Sequence, residues 1–148
     1  MPRYMFLIKA DAQAENMEAP PPDMYAEMTT FNEELNAAGV LLGGEGFRPT
    51  SHDSFRVRFS TDAGVAPTVT PGPFDLDKED HVCGFWILRT KDAEEALYWA
   101  KKIPFRGGEL VVRRIAETTV EDLGETLTEE VKEREKKIAA DVANRLKE

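Results

Sequence analysis

A histidine preceded by several carboxylates is the first place in this chain where residue types and spacing could support catalysis. His81 directly follows Asp80, and a neighbouring carboxylate can hold one imidazole tautomer for general acid–base work. Asp77 lies just upstream, in the same cluster of titratable residues. The alternative is an exposed loop histidine ahead of a strand. The spacing matches neither an EF-hand loop nor a zinc pattern, so we predict no metal site.

Glu45 is the second candidate acid–base residue, because it lies among glycines in a strand whose other neighbours are apolar. Its carboxylate is expected either at a strand end in solvent or in a cleft. The glycines indicate a bulge or a close backbone approach. They do not form a phosphate-binding loop, since no helix follows them. The predicted catalytic residues are therefore Glu45, His81 and Asp77.

A cationic strand face and several aromatic side chains could bind a small ligand. Arg56 and Arg58 alternate with apolar residues, which predicts a half-buried strand with its arginines on the other face. That face could attract an anionic molecule, although such arginines are more often solvated or paired with acids. Three aromatic residues, which could equally belong to the core or to an interface, are predicted to line the ligand site: Phe47, Phe74 and Trp86.

The composition limits the partners of this chain. The formal net charge is −9, whereas nucleic acids and anionic membranes need clustered Lys and Arg, so we predict neither partner. The single cysteine, Cys83, cannot form an intramolecular disulfide, and it lies in an apolar run where a thiol is normally inert. The N-terminal apolar run is too short for a signal peptide or a membrane span. We predict a cytoplasmic protein without a cofactor.

Hydrophobic periodicity predicts the elements that must position these residues. The most regular pattern is a helix from Met24 to Gly39, whose apolar residues are spaced by three and four. The prolines before it predict a loop over Asp11–Asp23. Tyr4–Lys9, apolar on both faces, predicts a central strand. The other predicted elements are the strands Val40–Phe47, Phe55–Phe59, Gly64–Thr70, Val82–Leu88 and Glu109–Ile115 and a helix from Ala93 to Pro104.

This order predicts an α+β fold of the ferredoxin-like split βαβ type, in which two amphipathic helices cover one face of an antiparallel sheet. The other face then needs a partner, which predicts a homodimer. The domain is expected to span residues 1–116, followed by a linker and a helical extension over 117–148. The extension has a thin apolar stripe that predicts docking on the same or the partner subunit: Val131, Ile138, Val142 and Leu146.

The order of several segments over roughly residues 1–115 resembles the YCII-related family, in its branch marked by a D-G-P-F motif. The segments that carry the resemblance are Tyr4–Ile8, Phe31–Phe47, the Gly72-Pro73-Phe74 turn with Lys78-Glu79, Gly84–Ile87 and Ala93–Pro104. The resemblance implies a ferredoxin-like fold that dimerises into an α/β barrel with a cleft, and a family without one settled activity. It does not extend to the helix after residue 117.

Two departures from the family motif bear on catalysis. The aspartate of the motif falls on Pro71, and the glutamate expected after the phenylalanine falls on Leu76. Asp75 and Asp77 flank the second position and could replace its carboxylate in space, which is the basis for predicting Asp77 as a catalytic residue. Because both replaced residues are candidate acid–base groups, we predict a dimeric protein with a cleft for a small ligand that could be anionic. The alternative is a small enzyme that uses Glu45 and His81 as acid–base groups.

Overall fold

The computed structural model describes residues 1–16 and 19–147. The predicted α+β class is confirmed. The elements are β1 (Arg3–Lys9), α1 (Ala12–Glu15), α2 (Pro22–Ala37), β2 (Leu41–Gly46), β3 (Phe55–Arg58), β4 (Thr68–Pro71), β5 (Val82–Arg89), α3 (Ala93–Lys102), β6 (Leu110–Arg114) and α4 (Glu129–Arg145). The chain divides into two compact units, Met1–Ile115 and Ala116–Glu148.

The main sheet has four strands in the order β2-β5-β1-β6, and every neighbouring pair is antiparallel. The prediction that the first strand is central is confirmed, because β1 lies between β5 and β6. A separate hairpin, in which β3 pairs with β4, is inserted between β2 and β5. The unit therefore has the order β-α-β-β-α-β with one hairpin added.

Alternation along the strands divides the sheet into two apolar faces. Tyr4 and Phe6 are buried with Phe31 and Leu35 of α2 and Trp99 of α3, so both helices pack on this face. Successive side chains of a strand point to opposite faces. The opposite face consequently carries half-buried apolar residues from three strands: Met5, Leu7, Phe85, Ile87 and Val111.

The helices begin at residues with the expected capping chemistry. Asp92 and Thr128 cap α3 and α4 by accepting hydrogen bonds from the third backbone N–H beyond them. The prediction that Asp11–Asp23 is only a loop is wrong, since the Asp11 carboxylate accepts from the Ala14 N–H and starts the short helix α1. Residues 17 and 18 of that predicted loop lie outside the described residues.

The side chains of β3 face the opposite way from the prediction, in which the apolar residues were buried. Phe55 and Val57 are exposed, whereas Arg56 on the other side is half-buried over an aromatic ring. A guanidinium can be packed when its neighbours supply an aromatic face and a carboxylate. The predicted alternation is present, but the packed side chain is Arg56, while Phe55, Val57 and Arg58 are exposed.

The predicted C-terminal helix is confirmed as α4, with Thr128 as its N-cap. Val131 is half-buried, whereas three other residues of the predicted stripe are exposed: Ile138, Val142 and Leu146. Its charged side chains form local pairs such as Lys132 with Glu129. Docking of this helix stays a prediction, and the predicted last residue, 148, lies outside the described residues.

Candidate functional site

A groove lies between α2, the end of β1, the start of β5 and the loop after α3. It has two adjoining sections, with volumes of 540 Å³ and 480 Å³. Both volumes fall in the range typical of small-molecule sites. Four mainly apolar residues line both sections: Ile8, Met28, Cys83 and Phe105.

Cys83 reaches the groove because of a β-bulge. Ile8 pairs with Gly84 while Lys9 pairs with Val82, so Cys83 is the extra residue of β5. Burial, and then the carboxylates of Asp11 and Glu15, raise the pKa of the Cys83 thiol. The side chain at the groove floor is therefore a neutral thiol near neutral pH.

Glu45 and Trp86 line the second section of the groove. Trp86 is buried in the core, and its indole N–H donates to Asn32 Oδ1 at 3.0 Å. Glu45 is exposed on β2 and pairs with Phe85, so alternation places its side chain on the sheet face opposite α2. Phe47 lines neither section of the groove. Its side chain is exposed, and its ring centroid lies 5.8 Å from that of Phe85.

His81 is paired with a glutamate that the sequence analysis did not single out. Its Nε2 lies 2.9 Å from Glu15 Oε1, and both side chains are mostly buried. Its Nδ1 is buried and has no hydrogen-bond partner among the described residues. His81 is therefore neither an exposed loop histidine nor a neighbour of Glu45 in the groove lining.

Glu15 is the central residue of a polar network that extends to the turn at Pro71-Gly72-Pro73. Thr50 donates its backbone N–H to Glu15 Oε1 at 3.2 Å and its hydroxyl to Oε2 at 2.6 Å. The Thr50 hydroxyl oxygen also accepts from the Phe74 N–H at 2.8 Å. Although burial raises the pKa of Glu15, the hydrogen bonds from Thr50 and His81 outweigh it and hold that pKa below its usual value.

The turn itself fits tightly against the Thr50 backbone. A Cβ atom on Gly72 would lie 1.8 Å from the Thr50 carbonyl oxygen, so the close approach requires glycine. Gly72 is not among the described glycines with a positive φ, which are Gly39, Gly64, Gly108 and Gly124. Glycine is therefore required at position 72 by the close contact with the Thr50 carbonyl and not by a left-handed backbone conformation.

The predicted ligand-binding arginines are both engaged with Glu79. Arg56 Nε lies 3.2 Å from Glu79 Oε2, and Arg58 hydrogen-bonds Oε1. The guanidinium of Arg56 stacks 4.2 Å from the centre of the Phe74 ring. Hydrogen bonding to Arg58, together with the charges of both arginines, lowers the pKa of Glu79. This cluster lines a separate pocket of 370 Å³.

The predicted catalytic residues do not converge on one cavity. Glu45 lies beside the groove with its side chain on the opposite sheet face, and His81 lies in the buried Glu15 network. Asp77 is exposed in the turn, where its N–H donates to Asp75 Oδ1 at 3.0 Å. Glu15 was missed because it lies in a polar stretch without periodicity. The Asp11 N-cap was the available signal, since it starts a helix that ends at Glu15.

The described residues contain neither a metal-binding cluster nor a helix that could span a membrane. Over residues 1–16 and 19–147, no group of three or more His, Cys, Asp or Glu side chains could hold a metal ion. Within the same residues, the longest helices lack the length and apolar content that a membrane span requires.

Comparison with known proteins gives a family assignment. A search of curated proteins finds no match to this chain. The family model of the YCII-related domain matches residues 2–119, which is most of the chain and includes the groove, the Glu15 network and the inserted hairpin. The chain therefore belongs to the YCII-related family.

Proposed function

We propose that this protein is a ferredoxin-like homodimer that binds a small organic molecule in the groove between α2 and the β1–β5 bulge. The observation that carries the proposal is the pair of adjoining sections with volumes of 540 Å³ and 480 Å³ over one apolar floor. Small-molecule sites are mostly apolar clefts with a few polar groups, and this groove has that character.

Filling the groove tests ligand binding. Met28→Trp places a larger side chain where both sections meet, so we expect it to abolish ligand-induced stabilisation in a thermal-shift screen of metabolites. Leu97→Trp, at an exposed position on α3, is the matched control and should keep the response. A hit should also protect Cys83, the single cysteine, from alkylation. Hits that stabilise the Met28→Trp variant equally would place the site elsewhere.

The dimer is proposed from the apolar sheet face opposite α2 and α3. Leu7 lies on that face, so Leu7→Lys should convert the dimer to a monomer by placing a charge in the interface. Light scattering at micromolar concentration measures the mass, and Leu97→Lys is the control at an exposed apolar position. A wild-type protein that is already monomeric would remove the proposal.

The arginines that were predicted to bind an anionic ligand line a different pocket. Arg56 and Arg58 line the 370 Å³ cavity and already share Glu79, so an anion there would have to compete with that carboxylate. This ligand stays a prediction. Phosphate or carboxylate binding that is lost in Arg58→Gln would support it.

The alternative is a small enzyme that uses Glu45 and His81 as acid–base groups. The observation in its favour is the Glu15–His81 hydrogen bond, which would orient the imidazole as an acid–base dyad does. The described residues that line the groove do not include His81, and Glu45, which they include, carries its side chain on the opposite sheet face. Turnover of a groove ligand that is lost in both Glu45→Gln and His81→Asn would favour the enzyme.

A further inference from the structure

We propose that the 480 Å³ section of the groove selects a flat, uncharged ring that carries a hydrogen-bond acceptor, and that Asn32 of α2 donates to that acceptor. This inference rests on the proposed small-molecule function and adds the chemical class of the ligand and the residue that recognises it. Three features of this section support it: an oriented amide, a lining without a facing charge, and a floor without side chains.

The side-chain amide of Asn32 has a fixed orientation. The Trp86 indole nitrogen can only donate, so the amide atom 3.0 Å from it is the Asn32 oxygen, Oδ1. Trp86 is itself buried in the core, where its ring packs edge-on against Phe31 with centroids 5.7 Å apart. The Asn32 nitrogen, Nδ2, therefore keeps both of its N–H groups for another acceptor.

The Asn32 amide lies at the wall of the groove. Asn32 lines the 480 Å³ section one helical turn after Met28, which lines both sections. Its Nδ2 has no hydrogen-bond partner among residues 1–16 and 19–147. Over the same residues, the buried side-chain nitrogens without a partner belong to Arg56, His81 and Trp99. Nδ2 is consequently unpartnered without being buried, so a ligand can reach this donor.

The part of this section that faces α2 carries no charge. Among the described residues that line it, Glu45 is the one with a charged side chain. Its pairing with Phe85 places that side chain on the opposite sheet face. An ion would lose its water in this section without gaining a counter-charge, so an uncharged ligand is favoured.

The floor of this section is backbone without side chains. Gly44 pairs with Trp86 and Gly46 pairs with Gly84, so alternation places these glycines on the sheet face that carries α2. A Cβ on Gly46 would meet no described atom within 4 Å, which shows open space above that residue. Glycines in a strand let a ligand approach the backbone closely, and a flat ring makes the most contact with such a surface.

Aromatic and aliphatic side chains line the rest of the section. Phe105 lines both sections, and its ring centroid lies 6.2 Å from that of Trp86 at an interplanar angle of 36°. Ile8 and Met28 complete the apolar lining. Aromatic rings gain from offset or edge-on neighbours at such spacings, so an aryl ligand is favoured over an alkyl ligand of the same size.

Three neutral probes test this ligand class with the full chain. Acetophenone has a flat ring and a carbonyl acceptor, ethylbenzene has the ring without the acceptor, and 1-cyclohexylethanone has the acceptor without the flat ring. Ligand-observed NMR titration measures each dissociation constant, and protection of Cys83 from alkylation locates the probe in the groove. We expect acetophenone to bind roughly fivefold more tightly than 1-cyclohexylethanone.

The donor is tested by Asn32→Asp, which removes it while keeping an oxygen for the Trp86 N–H. The carbonyl of acetophenone would then face a carboxylate, so we expect this probe to bind roughly tenfold more weakly and ethylbenzene binding to change by less than about twofold. Asn36→Asp, exposed one turn further along α2 and outside the groove lining, is the matched control. In the wild type, the Asn32 side-chain amide protons should move downfield with acetophenone and not with ethylbenzene.

The floor is tested by Gly46→Val. A Cβ on Gly46 or on Gly43 meets no described atom within 4 Å, and neither glycine has a positive φ. Gly43 pairs with Ile87 and therefore lies on the opposite sheet face, which makes Gly43→Val the matched control. We expect Gly46→Val to weaken acetophenone binding by more than about fivefold through overpacking, and Gly43→Val to leave it unchanged.

The outcomes separate this inference from the proposed function. Equal binding of acetophenone and 1-cyclohexylethanone, acetophenone binding that Asn32→Asp leaves unchanged, or equal effects of Gly46→Val and Gly43→Val would overturn the proposed ligand class. Each of these results, with Cys83 still protected, would leave the groove as a ligand site. No binding of any probe at millimolar concentration, with Cys83 unprotected, would overturn this inference together with the ligand groove.

Discussion

Replacing Gly72 by alanine is expected to destabilise the protein by about 3 kcal/mol, a fall of roughly 6–12 °C in Tm for a chain of this size. The added Cβ would lie 1.8 Å from the Thr50 carbonyl oxygen and 2.8 Å from the carbonyl carbon. Both atoms are backbone, so no side-chain rotation can relieve the overlap. The turn has to move away from Thr50, which also strains the Phe74–Thr50 hydrogen bond.

The control for this prediction is Gly107→Ala. A Cβ on Gly107 would meet no described atom within 4 Å, and its φ is not positive. We expect it to change the free energy of unfolding by no more than about 0.5 kcal/mol. Thermal and denaturant unfolding of both variants measure the difference. Equal midpoints for Gly72→Ala and Gly107→Ala would mean that the turn accommodates a methyl group at little cost.

The fold was largely predictable because its signals are local. The spacing of Phe31 and Leu35 identified the face of α2 that is buried, and apolar residues on both faces identified β1 as a central strand. Failures arose where a tertiary contact decides the outcome. Alternation in β3 could not reveal that Arg56 is the packed side, because its partners Phe74 and Glu79 come from a distant turn.

The candidate site was less predictable than the fold. Cys83 enters the groove through a bulge, and the pairing of Glu45 with Phe85 decides which sheet face its carboxylate occupies. Periodicity specifies neither. Glu15 and His81 are far apart in the chain, and only the folded path of the loop after β1 brings them within 2.9 Å. The residue types around the Pro-Gly-Pro turn predicted a polar site near His81. Its central carboxylate, Glu15, comes from the segment after β1.

Glu15→Gln is expected to lower the free energy of unfolding by about 2 kcal/mol at pH 7, since a mostly buried carboxylate accepts bonds from Thr50 and faces His81. The neutral amide can accept on one atom only and directs an NH₂ group at a former donor. Glu33→Gln, exposed on the adjacent helix, is the matched control and should change stability by less than about 0.5 kcal/mol.

The stabilisation by Glu15 should depend on pH in a defined direction. The folded state holds the pKa of Glu15 below the ordinary value of 4.5, because the hydrogen bonds from Thr50 and His81 outweigh the opposing effect of burial. A carboxyl whose pKa is lower in the folded state releases its proton more readily there than in the unfolded chain. Its contribution is therefore complete above pH 4.5 and is lost as the pH falls through the folded value.

Denaturant unfolding of wild type and Glu15→Gln across this range measures the effect. The difference in unfolding free energy should shrink as the pH falls below about 4.5, where the folded Glu15 carboxylate takes up its proton. A double-mutant cycle with Thr50→Val should give a coupling of about 1 kcal/mol, because Thr50 both donates to Glu15 and accepts from Phe74. A pH-independent difference with no coupling would show that Glu15 contributes packing alone, and that the network does not hold the turn through its charge.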